Sequence, residues 1–239
     1  AIDFAGAHLF LSSTFSKVMI KTSLGYSLGL IRFGSHNYLK EFRETGKMYM
    51  NTLTYFRNLE DDDERSDISE GLSYSRHAEG EMVTIGSDDF TIRGQVKMND
   101  SNSCNYKIFS LYGQNEKNLN RINNRMLEFG DSAVIITEPS SFLDRFIRAA
   151  EQLKIEYSFQ PVEYVSKEEY CGHMGPYRKY SDLKYQSEFR IVMKLEHSKP
   201  LKDFYIGDIR DITKIYPSDH VIKNLKIQFN KQQTEPSGI

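Results

Sequence analysis

The chain has 239 residues, of which 39% are hydrophobic and 13% aromatic, and a chain of this size and composition can bury a substantial core. Its 31 basic and 33 acidic residues give a net charge of −2, so the overall charge offers no electrostatic argument for a nucleic-acid or membrane-surface partner. Only two cysteines, Cys104 and Cys171, lie far apart in the sequence, which argues against a disulfide scaffold and fits a reducing compartment. No apolar run approaches the ~20 residues that span a bilayer, and the first residues lack the features of a signal peptide, so we expect a cytoplasmic protein with no membrane partner.

The first third of the chain predicts two strands and a helix. Residues 28–33 are apolar enough for a strand, and Ser35 and Gly46 are suited to begin and end a short helix between them. Residues 47–56 predict a second strand that runs into a loop. The acid-rich run at 60–70 is too charged for a core element, so we interpret it as a solvated connection.

The middle of the chain predicts several short strands and one helix. Clusters of Gly, Asp, Asn and Ser separate the strand-like runs and act as turn signals. A nearly all-apolar run then indicates a central strand, and helical spacing of apolar residues predicts an amphipathic helix. These segments are residues 82–85, 90–93, 106–112, 132–137 and 141–153.

A late strand is predicted at residues 185–194, where side chains alternate with period two. One face carries Tyr, Ser, Phe, Ile and Met, and the other carries Gln186, Glu188 and Arg190. The polar row could be a site of chemistry, or it could be the solvent-exposed face of a half-buried antiparallel strand. Pattern alone favours the solvent-exposed interpretation.

The remaining segments complete an α+β pattern. Strands are predicted at 204–206 and 213–216, a short helix after Pro217, and a last edge strand at 225–229. Many short strands with few helices, not in regular alternation, predict an α+β fold with a mixed or antiparallel β-sheet core and several short helices. We expect a single domain over residues 1–231 and a frayed polar tail at 232–239.

Three segments together resemble a known superfamily. Arg32 lies in an early strand, residues 51–56 carry small hydroxyl residues leading to aromatics, and Gln186 and Glu188 lie in a late strand. This order resembles the arginine, serine/threonine and glutamate signature of the ADP-ribosyltransferase superfamily. Residues 129–131 before the buried strand and Lys179 ahead of the late strand are also similar to bacterial members of that superfamily, some of which act as toxins in bacterial conflict and phage defence.

The resemblance implies a set of roles in cleaving NAD. Glu188 would hold a ribose hydroxyl and stabilise the positive charge that develops on the sugar, and Gln186 would position the acceptor. Arg32 would bind the diphosphate of the NAD cofactor. Among the remaining cofactor-binding candidates, Tyr55 and Phe56 form a stacking pair. Thr52 and Thr54 would orient the site through their hydroxyls, beside the Asn51 amide. Lys179 is the basic candidate.

The sequence departs from the signature at one place, because Asn51-Thr52-Leu53 stands where a serine-threonine-serine triplet is the clearest sign. From the residues alone, Arg32 could equally be a surface or ion-pairing arginine. A glutamine two residues before the glutamate resembles members that do not modify arginine, and it leaves the acceptor open between a protein and a nucleic acid such as RNA.

Three functional hypotheses follow. The first is an NAD-dependent ADP-ribosyltransferase or NAD glycohydrolase, a bacterial toxin or phage-defence effector restrained by an antitoxin or other neutralising protein. It requires Arg32 and Glu188 to converge on one cleft. The second is a non-catalytic interaction module of the same fold, and the third is a metal-dependent nuclease that uses the acids of residues 60–70. We expect no metal site from the Cys and His spacings.

Overall fold

The computed structural model describes the backbone of residues 20–22 and 25–27, and residues 29–58, 69–99, 105–114, 122–195 and 203–225 in full. The described residues form a mixed α+β structure with a mainly antiparallel sheet and a few short helices, which confirms the fold class at that level. Residues 226–229 of the predicted edge strand, the polar tail at 232–239 and residues 60–68 of the acid-rich run lie outside the described residues. None of the described helices is long and apolar enough to cross a membrane.

Fifteen strands and four α-helices make up the described structure. The strands are β1 (Ile20–Thr22), β2 (Gly25–Ser27), β3 (Gly29–Gly34), β4 (Lys47–Met48), β5 (Asn51–Thr52), β6 (Leu72–Ile85), β7 (Asp88–Asn99), β8 (Tyr106–Gln114), β9 (Ser132–Ile136), β10 (Glu156–Pro161), β11 (Glu163–Val165), β12 (Arg178–Tyr180), β13 (Glu188–Lys194), β14 (Phe204–Tyr205) and β15 (Thr213–Pro217). The helices are α1 (His36–Thr45), α2 (Leu53–Arg57), α3 (Pro139–Gln152) and α4 (Ser218–Asn224). Short 3-10 helices cover Asn124–Phe129, Gly175–Tyr177, Ser181–Gln186 and Arg210–Ile212.

The main sheet is antiparallel throughout and has the strand order β10-β13-β8-β3-β9-β15. One face packs on α1 and α3 through a large core that includes Phe42, Phe142, Phe146, Phe109 and Phe189. The other face carries smaller apolar clusters. Because both faces are covered, the central strands are buried along most of their length.

The sheet opens between β3 and β8. Their pairing stops at Ile31 and Tyr112, while β3 continues along β9. Further along β8, the short strand β5 takes the vacated edge at Ile108. A gap is therefore left beside the middle of β8, and Arg32 follows the last paired residue of β3 directly at this gap.

The predicted helix after the first strand is confirmed as α1, with Ser35 at its N-cap and Gly46 at its C-cap. The Ser35 side chain makes no capping hydrogen bond. Instead the Asp131 carboxylate accepts the His36 N–H at 2.9 Å, which ties the start of α1 to the loop before β9. Gly46 adopts a φ of 67°, where an L-residue with a Cβ is strained.

The predicted strand at 47–56 is wrong, because the segment contains two short strands followed by the helix α2. Thr52 ends β5 and its side chain accepts the Tyr55 N–H at 3.1 Å, so the residue caps α2. A threonine with this hydrogen bond satisfies a free donor in the first helical turn. The local capping chemistry thus overrides the strand propensity of the aromatics that follow.

The late strand is shorter than predicted, since Tyr185 and Gln186 belong to a 3-10 helix and β13 begins at Glu188. Ser187 separates the two with a φ of 41° in the left-handed region. The solvent-exposed interpretation of the polar row is also wrong, because Gln186, Glu188 and Arg190 are all buried.

The two strand-like runs at 82–85 and 90–93 are parts of one long hairpin, β6–β7. Gly86, with a φ of 66°, is the first of the two residues between the strands, a position where hairpin turns of type II′ favour glycine. The base of the hairpin is buried at Leu72, Ser75 and Ala78, whereas its distal half is mostly exposed.

Candidate functional site

A cavity of about 470 Å³ opens around the gap between β3 and β8. A volume of this size is typical of small-molecule sites, which combine apolar walls with a few convergent polar groups. The polar residues of its wall are Arg32, Ser35, Asn51, Glu70, Ser110, Lys179, Gln186, Glu188 and Arg190. The aromatic residues are Phe33, Tyr38, Tyr49, Tyr55, Phe56, Tyr112 and Phe129.

Arg32, Ser110 and Glu188 are linked across the gap by hydrogen bonds. The Arg32 Nη1 donates to the backbone oxygen of Ser110, and the Ser110 hydroxyl donates to Glu188 Oε2 at 2.9 Å. The register places Ser110 opposite Arg190 and Tyr112 opposite Glu188, so the hydroxyl and the carboxylate share one face of the sheet. The arginine and the glutamate therefore converge on one cleft, as the first hypothesis requires.

The Arg32 guanidinium is held by aromatic rings as well as by the strand edge. Its central carbon lies 4.6 Å from the centroid of the Phe109 ring and 5.7 Å from that of Tyr38, which is the geometry of cation–π contact. Its Nε is buried with no hydrogen-bond partner, and so is the Tyr38 hydroxyl. Two buried polar atoms in the cavity wall thus retain hydrogen-bonding capacity.

Glu188 lies at the centre of a buried cluster of four charges. Its Oε1 accepts from Lys179 Nζ at 2.8 Å and its Oε2 accepts from Arg190 Nε at 2.6 Å. The two other guanidinium nitrogens of Arg190 donate to the two oxygens of Glu70, each at 2.7 Å. Glu70 Oε2 also lies 3.7 Å from Lys179 Nζ. Two carboxylates and two cations therefore balance one another inside the protein.

These contacts determine the protonation state of the cluster. Burial raises the pKa of Glu188, but the charges of Arg190 and Lys179 and their hydrogen bonds outweigh it and hold that pKa well below the usual value. Burial lowers the pKa of Arg190, but Glu188 and Glu70 raise it well above the usual value. Glu188 is therefore an anion at neutral pH despite its burial.

Gln186 lines the cavity beside Glu188, and its amide has a defined orientation. Its Oε1 accepts from Lys179 Nζ at 2.8 Å, and its Nε2 donates to the Tyr185 hydroxyl at 3.2 Å. An ammonium group has no acceptor, so the atom facing Lys179 has to be the amide oxygen. Lys179, predicted as a cofactor-binding residue, is buried in β12 and contacts both residues of the predicted Gln-x-Glu pair.

The structure brings some of the cofactor-binding candidates together and separates others. Asn51 and Phe56 line the cavity, and Tyr55 lies in its wall with its side chain 44% exposed. Thr52 caps α2 and Thr54 lies on that helix, and neither is part of the cavity wall. The orienting role of these two hydroxyls stays a prediction, and β5, which carries Thr52, pairs with β8 and not with β13.

Two residues of the hydrogen-bonded network around Glu188 were missed by sequence reasoning. Ser110 bonds both Arg32 and Glu188, and the period-two pattern of β8, with Ile108, Ser110 and Tyr112 on one face, was the local signal of its orientation. Glu70 was taken for part of a solvated acidic connection, yet it is 2% exposed. Nothing in its local sequence distinguishes it from the acids before it.

The nuclease hypothesis gains nothing from the described residues. No three His, Cys, Asp or Glu side chains within them are grouped as metal ligands. Both oxygens of Glu70 are bonded to Arg190, so this acid is unavailable to a cation.

Comparisons of the chain with protein-family models, curated proteins and solved structures found no match.

Proposed function

We propose that the protein cleaves the bond between nicotinamide and ribose in NAD and passes the ADP-ribosyl group to a macromolecule or to water. One observation carries the proposal: Arg32, Ser110 and Glu188 come from three adjacent strands and meet at one cavity. The resemblance to ADP-ribosyltransferases requires an arginine, a hydroxyl residue and a glutamate in this order. The proposal includes an ADP-ribosyltransferase-like fold for the chain.

Glu188 performs the central step of the proposed reaction. Its ionised carboxylate accepts a ribose hydroxyl and stabilises the positive charge that develops on the sugar as the glycosidic bond breaks. The electron pair of that bond leaves with nicotinamide, a lone pair of the acceptor forms the new bond, and the acceptor's proton passes to solvent. Glu70 lies 3.7 Å from Lys179, so the lysine keeps an anionic neighbour when Glu188 Oε1 turns to the hydroxyl.

The other residues of the cavity bind and orient the substrate. Arg32 carries a buried Nε without a partner and provides charge-assisted hydrogen bonds to the diphosphate. Tyr55 and Phe56 stack on the nicotinamide ring. Gln186, fixed by Lys179, presents its Nε2 to the acceptor, which binds there through a lone pair.

The biological setting rests on the resemblance alone. We propose a toxin or phage-defence effector that acts in the cytoplasm on a protein or nucleic-acid acceptor and is restrained by a neutralising protein.

The first test measures nicotinamide release from NAD by the purified protein, alone and with cell extract. We expect release by the wild type and a loss of at least about 100-fold in Glu188→Gln, because the fixed charge at the developing cation is removed. Glu163→Gln is the matched control, since this acid lies outside the cavity in an ion pair with Arg178. Ser110→Ala tests the site without changing its net charge, in case Glu188→Gln fails to fold. Absence of both release and NAD binding in the wild type would sink the proposal.

A non-catalytic interaction module is the second candidate, and the balance of charges in the cluster favours it. Lys179 and Arg190 neutralise Glu188 and Glu70, and a carboxylate whose charge is already compensated stabilises a cation less. This candidate predicts a folded protein that neither releases nicotinamide nor binds NAD.

A further inference from the structure

The exposed edge of β7 carries a self-complementary pattern of side chains. Within the described residues, β7 pairs only with β6. Residues 89–93 are an acid, an aromatic residue, Thr91, an aliphatic residue and a base. About Thr91, the acid is matched by the base and the aromatic residue by the aliphatic one. We propose that this segment, the β7 edge, pairs antiparallel with the β7 edge of a second copy of the chain across a two-fold axis at Thr91.

The backbone of the hairpin is arranged for such pairing. Ile85 and Asp88 flank the two-residue turn and form its closing pair. Because hydrogen-bonded and non-hydrogen-bonded pairs alternate along an antiparallel ladder, Asp89 and Thr91 direct their N–H and C=O groups away from β6. The extra residue of the register shift lies on β6, between Glu79 and Glu81, so the alternation along β7 continues to Arg93. An edge with free donors and acceptors is a template for a further strand.

The side chains match in the same register. A two-fold axis at Thr91 places Asp89 of one copy opposite Arg93 of the other, twice over, so two opposite-charge pairs flank the axis. It also places Phe90 opposite Ile92 in the non-hydrogen-bonded pairs, where side chains approach most closely. Phe90 is 51% exposed in the isolated chain, so the contact removes apolar surface from water.

The other strand of the hairpin lacks this complementarity. The charged residues in the distal half of β6 are Glu79 and Glu81, both acidic. Glu81 is already in an ion pair with Arg76. The distal half of β6 therefore offers no cation to a second copy, and the partner that fits the hairpin is the β7 edge of the same protein.

Charge exchange at two positions tests the register by sedimentation equilibrium. We expect wild-type protein to dimerise, and Asp89→Arg and Arg93→Asp each to raise the dimer Kd about tenfold or more, because each converts two attractive cross-strand pairs into repulsive ones. The double variant restores both pairs and hence the dimer. An equimolar mixture of the two single variants restores a heterodimer for the same reason.

Cross-linking through Thr91→Cys tests the position of the axis. Directly opposed residues in a hydrogen-bonded pair have Cα atoms about 5.5 Å apart, a distance that a disulfide spans. Both native cysteines are first replaced by serine, because Cys171 is exposed and could itself be oxidised. In this background we expect oxidation to link two chains of Thr91→Cys, and not chains without an added cysteine or with Ser87→Cys at the hairpin turn. A wild-type protein that stays monomeric at all concentrations overturns the proposal, and so does a dimer that is indifferent to the charge exchanges.

Discussion

Glu188 shares its two oxygens among a lysine, an arginine and a serine hydroxyl. A carboxylate removed from water stays ionised only if such partners replace its hydration. In this protein the partners are themselves balanced by a second carboxylate, Glu70. The cluster is therefore stable as a set of four charges, and the loss of any member leaves a charge uncompensated.

Removal of Arg190 should destabilise the protein strongly. Arg190→Met leaves Glu70 and Glu188 buried without their shared cation, and we expect the free energy of unfolding to fall by about 3–5 kcal/mol. Arg178→Met is the control, because the ion pair of Arg178 with Glu163 is partly exposed and such pairs contribute about 0–1 kcal/mol. Urea denaturation measures both, and equal losses would contradict a structural role for the cluster.

The lowered pKa of Glu188 predicts acid sensitivity. The folded-state pKa lies below the unfolded value of about 4.3, so the folded protein resists a proton that the unfolded chain accepts. The resulting stabilisation is fully present above that unfolded value and declines as the pH falls below it toward the folded pKa. Thermal unfolding across this pH range should show a steeper decline for the wild type than for Glu188→Gln; parallel curves would show that Glu188 does not contribute.

The C-terminal end of α1 packs closely against the segment 206–208. Gly46 has a φ of 67°, and a Cβ at this position would lie 2.2 Å from the Gly207 carbonyl oxygen. Gly207 also has a positive φ, of 82°, but a Cβ there would meet no atom within 4 Å. The two positions share the conformational strain and differ in the steric clash.

Alanine substitutions separate these two effects. We expect Gly207→Ala to lower the free energy of unfolding by about 1–2 kcal/mol, from left-handed strain alone. Gly46→Ala should cost about 2–4 kcal/mol, because overpacking against backbone is added to that strain. Denaturant titration of both variants compares them directly; a Gly46→Ala loss no greater than that of Gly207→Ala would mean that the 206–208 segment moves aside freely.

Elements with local signals were predictable, and elements decided by pairing were not. The helix α1 has a serine before it and a glycine after it, and α3 has helical spacing of apolar residues, so both were predicted. The segment 47–56 has strand-like composition, but a single cap at Thr52 starts a helix there. The burial of the polar row that includes Glu188 and Arg190 was not predictable either, because the residues that cover the row are distant in sequence.

At the scale of the molecule, some residues of the candidate site were also predictable from the sequence, and others depend on long-range contacts. Arg32, Gln186 and Glu188 were predicted from their order along the chain, and all three line the cavity. The alternation of β8 could have shown which face Ser110 shares, but its contact with Arg32 depends on the opening of the sheet between β3 and β8, which is a long-range feature. Glu70 was missed because Arg190, which bonds it in the buried cluster, lies far away in the sequence.

Amide hydrogen exchange should separate the molecule into a protected centre and an exposed arm. The strand β13 is paired along its whole length with β10 and β8 and is buried from Glu188 to Met193, so we expect its amides to exchange only through global unfolding. Amides in the distal half of β6 and β7 should exchange much faster in the monomer. Uniform protection across both regions would contradict this division.

The charged cluster also imposes an order on synthesis. Its hydrogen bonds join residues 78 and 120 positions apart in the chain, and such contacts form only after long loops have closed. A nascent chain that ends before Arg190 lacks the cation that holds both carboxylates, although it already contains Arg32 and Ser110. The cavity in its present form is therefore a late product of translation, acquired in one step when β13 enters between β8 and β10.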